Sequence, residues 1–229
     1  MNQKLATWLS AGGVAAPLLW ASTVIYSGAL HPEYSHIRQY ISDLAARGSS
    51  TQHQMQATGF ILPGLLMAGF GVLLGVRAAT KAAGIGSALL IVGGLARAAA
   101  GVFLPDPLGD AIPTTFEAHA HNGAGLTYGV TLTLAVLVWF VALLRDARSS
   151  KWFASYTLVT VVAAILSPFV LISAGIAAST DVGLFQRAWF GVLNTWLLVF
   201  AALVHVQARR DSPTTLVREL RVTESRQGL

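Results

Sequence analysis

The chain has 229 residues, of which 54% are hydrophobic and only 11% charged, with a net charge of +5 and no cysteine; its mean hydropathy is +0.61. Soluble domains carry roughly 25% charged residues, so composition argues against a soluble fold, and the lack of cysteine excludes disulfides, thiolate nucleophiles and cysteine metal sites. The basic residues flank apolar runs instead of forming a patch, which reads as membrane topology and leaves no basis for a nucleic-acid partner.

A helix needs about 20 apolar residues to cross the hydrocarbon core, and six runs meet that length. Helix 1 is expected from about Ala6 to Leu30, with a kink at Pro17. One Lys before its apolar run imitates a secretory signal, but the run is too long for one and no small-residue cleavage site follows. The polar stretch HPEYSHIRQYISDLAARGSS, His31 to Ser50, comes next. Its SHIRQYISD portion has the spacing of an amphipathic helix with Ile37, Tyr40, Ile41 and Leu44 on one face, a short interfacial helix or lid.

Helix 2, from about Gln54 to Ala79, is rich in glycine and contains Pro63. Small residues four apart, such as Gly64 with Ala68, permit close helix contact. Helix 3, from about Ala83 to Leu104, carries Arg97 inside an apolar run. The loop PDPLGDAIPTT cannot be regular helix because of its prolines, whereas Thr114 or Thr115 can cap a helix 4 that runs to about Leu144. Helix 5 is expected from Trp152 to Ala177, the loop STDVGLFQR next, and helix 6 from Ala188 to Gln207.

The expected architecture is therefore all-α, a polytopic membrane bundle of six transmembrane helices occupying residues 1–208, with a polar cytoplasmic tail, residues 209–229. With six spans, eleven Lys and Arg fall on the side of both termini and four (Arg38, Arg47, Arg97 and Arg187) on the other. The positive-inside rule puts both termini in the cytoplasm of a cell inner membrane. Six of ten carboxylates, including Asp43, Asp106, Asp110 and Glu117, and five of six histidines then gather on the outer side.

Arg97 is the sharpest single signal, since a guanidinium within a span costs at least ~2.5 kcal/mol unless it is paired or snorkels. It snorkels to the outer interface, pairs with an acid such as Asp43 or Asp106, or anchors an anionic group. In EAHAHN, Glu117 and His121 are four apart and share a helix face, while His119 is rotated by about 200°. His121, with Asp43, Glu117 or His119, is a candidate acid or base. A divalent metal such as zinc, held by His119, His121 and Asp43, requires non-helical backbone and lacks the HExxH spacing. Asn194 reads as an interhelical hydrogen bond.

YSHIRQYISDL after helix 1, FLPDP after helix 3, HAHNG opening helix 4 and GLFQRAWFGVLNTW entering helix 6 together resemble the bacterial multi-pass membrane proteins grouped as domain-of-unknown-function family 998. The resemblance spans helices 1 to 6, implies a six-helix fold and matches Tyr34, Ser42, Asp43, Leu44, Pro105, Asp106, Pro107, His121 (or His119), Arg187 and Trp196. It brings no activity. Gln186 stands where members often have an acid before the Arg of helix 6. A weaker analogy is to the seven-helix hydrolases that include alkaline ceramidases, whose zinc site uses Ser, Asp and three His; Ser42, Asp43, His119 and His121 are present here, but the HxxxH pair and one helix are not.

These readings converge on an outer polar pocket of Asp43, Arg97, Asp106, His121 and Arg187, with Tyr34, Ser42 and Trp196 as further ligand contacts. It would bind or act on a lipid or isoprenoid-like amphiphile from the outer leaflet. As an enzyme it would be a lipid-modifying hydrolase, transferase or acid/base cyclase. The alternatives are a non-enzymatic lipid-binding or structural protein and, ranked third, a transporter. Oligomeric state is not readable.

Overall fold

The computed structural model describes residues 1–107, 113–146, 150–173 and 181–210. Asp110, Arg148, the expected end of helix 5 beyond Ser173 and the tail from residue 211 lie outside the described residues. Six long helices run through the described residues: α1 (Gln3–Ala29), α2 (Gln52–Val76), α3 (Lys81–Val102), α4 (Phe116–Arg145), α5 (Lys151–Ser173) and α6 (Val182–Arg210). Of these, α1, α2, α3, α4 and α6 are long and apolar enough to cross a membrane, while α5 offers a shorter apolar stretch, Lys151–Ser167. Large apolar side chains such as Trp8, Ile25 and Val159 point outward, at 76%, 67% and 66% exposure, as expected of lipid-facing surface.

Local chemistry sets the helix starts. Side chains of Asn2, Thr80 and Thr115 accept the N–H groups of Leu5, Ala83 and Ala118, each taking one donor that a first turn leaves unpaired. Asp106 braces the start of α4 from outside: its carboxylate accepts the N–H and hydroxyl of both Thr114 and Thr115. Those bonds, the Thr114 N–H first, hold its pKa down to about 2.

Each helix packs on the next in sequence, and α6 closes the ring against α1. Lipid tails are as apolar as leucine, so helices associate through close packing instead of water exclusion. Glycine provides this between α2 and α3: a Cβ on Gly64 would lie 2.5 Å from Gly94 O and 2.6 Å from Ala98 N. Further from the polar loops, Phe153, Trp196 and Phe200 stack in the bundle centre with Phe200 against Phe70 and Trp139.

Two expectations for the polar end are corrected. The SHIRQYISD stretch is not one amphipathic helix; only Ile41–Ala45 forms a short 3₁₀ turn. Its carbonyls are drawn elsewhere, because Ile37 O accepts the Leu184 N–H at 2.9 Å and Gln39 O accepts Arg187 Nη1 at 2.9 Å. The same pairing moves the start of α6 from the expected Ala188 back to Val182. Leu184 N–H, which also donates to Asp181 O at 3.1 Å, gains a partner outside the helix, and Arg187 reaches back to Gly183 O at 3.0 Å. Gly183 is needed there, since a Cβ would lie 2.1 Å from Gln39 O.

Candidate functional site

The site begins with a proline. Pro63 has no N–H to offer the carbonyl of Gly59 four residues earlier, and α2 widens there into a π-helical turn over Met55–Ile61, in which Leu62 N–H reaches back to Ala57 O. Such turns are frequent at functional sites. Gly59 O is taken up from α3 by Arg97 Nη2 at 3.0 Å. Nη1 of the same guanidinium donates to Tyr128 Oη at 3.3 Å and Asn194 Oδ1 at 3.2 Å, and Asn194 Nδ2 donates to Tyr128 Oη at 2.8 Å. Four helices thus meet on Arg97, whose cation also lies 5.1 Å from the Tyr128 ring centroid and 5.7 Å from that of Trp20.

The charge is 2% exposed and its bonding partners are all neutral. Neither Asp43 nor Asp106 reaches it, and among the described residues no carboxylate is paired with it. Three bonds also leave part of its five-donor fork unused.

Arg97 lies at one wall of a cavity of about 850 Å³ that Asp43, Asp106, His121, Tyr128, Gln186 and Phe190 also line. His121 is 4% exposed. Its Nδ1 stands 2.7 Å from Ala100 O and 3.1 Å from Phe103 O. Carbonyls only accept, so Nδ1 carries a proton, and in the neutral ring Nε2 keeps its lone pair. Phe60 packs edge-on against the ring at 5.6 Å. The imidazole therefore presents a fixed acceptor, competent to take a hydrogen bond or a proton. His121 and Tyr128 are two turns apart on α4, about 10 Å along its axis, so base and cation occupy successive levels of one cavity.

The segment between α1 and α2 makes the wall facing them. Asp43 Oδ2 accepts the Tyr40 N–H at 2.9 Å and so caps the 3₁₀ turn. Burial pushes its pKa up to about 6, against the Tyr40 bond and the charge of Arg187. Gln186 Oε1 accepts the Ile41 N–H at 2.5 Å, so the neutral residue at this position ties the wall to α6.

The other expected site residues are distributed differently. Ser42 lines the cavity. Arg187 does not; it lines a separate hollow with Tyr156 and Thr160 and clamps the segment through Gln39 O and the Tyr34 hydroxyl. Tyr34 Oη in turn donates to Tyr40 O at 2.7 Å, and burial pushes it up to about 12 despite Arg187. Trp196 is buried in the core, its Nε1 on Thr157 Oγ1 at 3.1 Å. Glu117 is exposed and paired with Arg47 at 2.5 Å. The backbone is helical from Phe116, so His119 faces outward while His121 faces in; among the described residues no three His, Asp or Glu side chains are grouped to hold a metal.

A family model described as a protein of unknown function (DUF998) matches residues 14–203. The chain belongs to this family. No curated protein and no solved structure matches it. With its apolar helices, this DUF998 member is a multi-pass membrane protein.

Tyr128 and the Gly59 carbonyl were not singled out by sequence in this DUF998 chain. Both had a signal. Tyr128 repeats the helix face of His121 seven residues on, and a proline inside a span names the carbonyl four residues before it as one needing a donor. Asn194 does make an interhelical hydrogen bond, and the bond is to the buried cation.

Proposed function

We propose that this membrane protein binds the anionic head of an amphiphile, a lipid or an isoprenoid-like molecule, in the cavity next to Arg97, with His121 Nε2 accepting from a hydroxyl of the same ligand. The observation that carries the reading is a buried guanidinium with neutral partners only. An uncompensated cation at membrane depth is expensive, and an anion entering the cavity supplies the missing charge and uses the free donors of the fork. The starts of α2, α4 and α6 lie at the same end and add their partial positive charges. Aromatic walls, among them Trp20, Phe60 and Trp189, suit an apolar chain.

Purified protein is titrated with dodecyl phosphate while thermal unfolding is followed. Wild type is expected to gain stability as ligand rises, logarithmically once it exceeds the Kd, as binding to the native state requires. Arg97→Leu should lose that gain, about tenfold or more in apparent affinity for one charge-assisted pair, while dodecanol gives the same small response in both. Equal stabilisation of wild type and variant by dodecyl phosphate would end the proposal. The same samples report on turnover, because release of inorganic phosphate that disappears in His121→Gln would mark the enzymatic version of this site.

A further inference from the structure

We propose that the cavity opens sideways, between α4 and α6 at the level of Gly125, so that a chain-bearing anion enters from the bilayer and keeps its chain in this opening, while a short-chain anion fills the head site without using it. This rests on the anion-binding reading above and adds the route and the place of the chain.

Contact between α4 and α6 is close beside Gly129 and opens beside Gly125 among the described residues. The Trp189 ring lies where a Cβ on Gly129 would sit, 2.5 Å away, and Trp189 Nε1 donates to Thr133 Oγ1 at 3.2 Å. One turn toward the polar loops, a Cβ on Gly125 would meet nothing within 4 Å among the described residues. Gly125 lines the cavity, as does its neighbour Leu126, which is 61% exposed and, five residues on from His121, is turned roughly 140° from it around α4. A side chain belonging to both the surface and the cavity marks a mouth, and Phe185 of α6 lines the same cavity.

Depth decides what the mouth opens onto. Along α4, His121 is bonded to Ala100 O and Tyr128 to Arg97, so Gly125, between them in sequence, lies at the level of the Arg97 to Ala100 turn. That turn lies in the last turn and a half of Lys81–Val102, a helix apolar and long enough to span. An opening at that level faces the outer edge of the hydrocarbon when the helix spans. A ligand with its head at Arg97 can then leave its chain in the lipid, which avoids stripping the whole chain of apolar surroundings.

The test compares dodecyl phosphate with butyl phosphate on full-length protein, read as the concentration that half-maximally stabilises against heat. Wild type is expected to respond to both. Gly125→Trp, which fills the mouth, should keep its butyl phosphate response and lose dodecyl phosphate by roughly tenfold, the equivalent of about two buried methylenes. Leu126→Trp, at a side chain already facing outward, should act in the same direction and guards against a folding defect in the first variant. The sideways route is overturned if both variants bind dodecyl phosphate as wild type does, or if they lose both ligands equally, which would place the tryptophan in the head site. If wild type responds to neither phosphate, the anion-binding reading itself falls.

Discussion

Asp43 and Arg97 share a cavity without touching, and burial disfavours the charge of each. For Asp43 the consequence is a pH dependence of stability whose sign can be worked out. Burial pushes the carboxyl up to about 6 in the folded protein against an ordinary 3.8, so between those values the folded state binds the proton more tightly than the unfolded chain. Asp43 therefore contributes stability that is fully present below pH 3.8 and lost as pH rises through about 6. Asp43→Asn keeps an acceptor for the Tyr40 N–H and should flatten that window in unfolding curves taken from pH 4 to 7. An unchanged slope would mean that the carboxyl is better solvated than its burial implies.

At the scale of the element, the π-helical turn of α2 and Arg97 of α3 form one device. The turn exists because Pro63 interrupts the helix ladder, and the guanidinium takes the carbonyl set free. Pro63→Ala returns an N–H that can compete for Gly59 O. The cost of Arg97→Leu should then be smaller in the Pro63→Ala background than alone, with a coupling of about 1 kcal/mol in a double-mutant cycle of unfolding in detergent. Additivity of the two changes would show that Gly59 O does not depend on Arg97. The segment from His31 to Ser50 obeys similar logic. Its apolar spacing favours a helix, but α6 takes the carbonyls of Ile37 and Gln39, and the backbone follows the stronger set of partners.

At the scale of the molecule, the positions of Lys and Arg at the helix ends predict which face meets the cytoplasm. Lys4, Arg77, Lys81, Arg145, Lys151, Arg209 and Arg210 all sit at the end opposite the cavity, so the cavity should open toward the outer leaflet. The chain has no cysteine, which makes the test direct. In intact cells a membrane-impermeant thiol reagent should label Arg38→Cys and spare Lys81→Cys; the reverse pattern would invert the proposed topology.

How much was readable from sequence follows from what each feature depends on. Helix number, approximate ends, the caps at Thr115 and the buried charge at Arg97 depend on residues near one another in the chain, through apolar run length, short-range hydrogen bonding and the cost of a charge in an apolar run. The sequence by itself therefore determined a helical membrane protein with polar chemistry at one end. What it could not decide is which polar residues meet. Arg97 joins Gly59, Tyr128 and Asn194 and neither carboxylate; Arg187 and Trp196 serve the scaffold; His119 turns away while His121 turns in. Those choices depend on contacts between residues up to 153 positions apart, and only the packing of one helix against another fixes them.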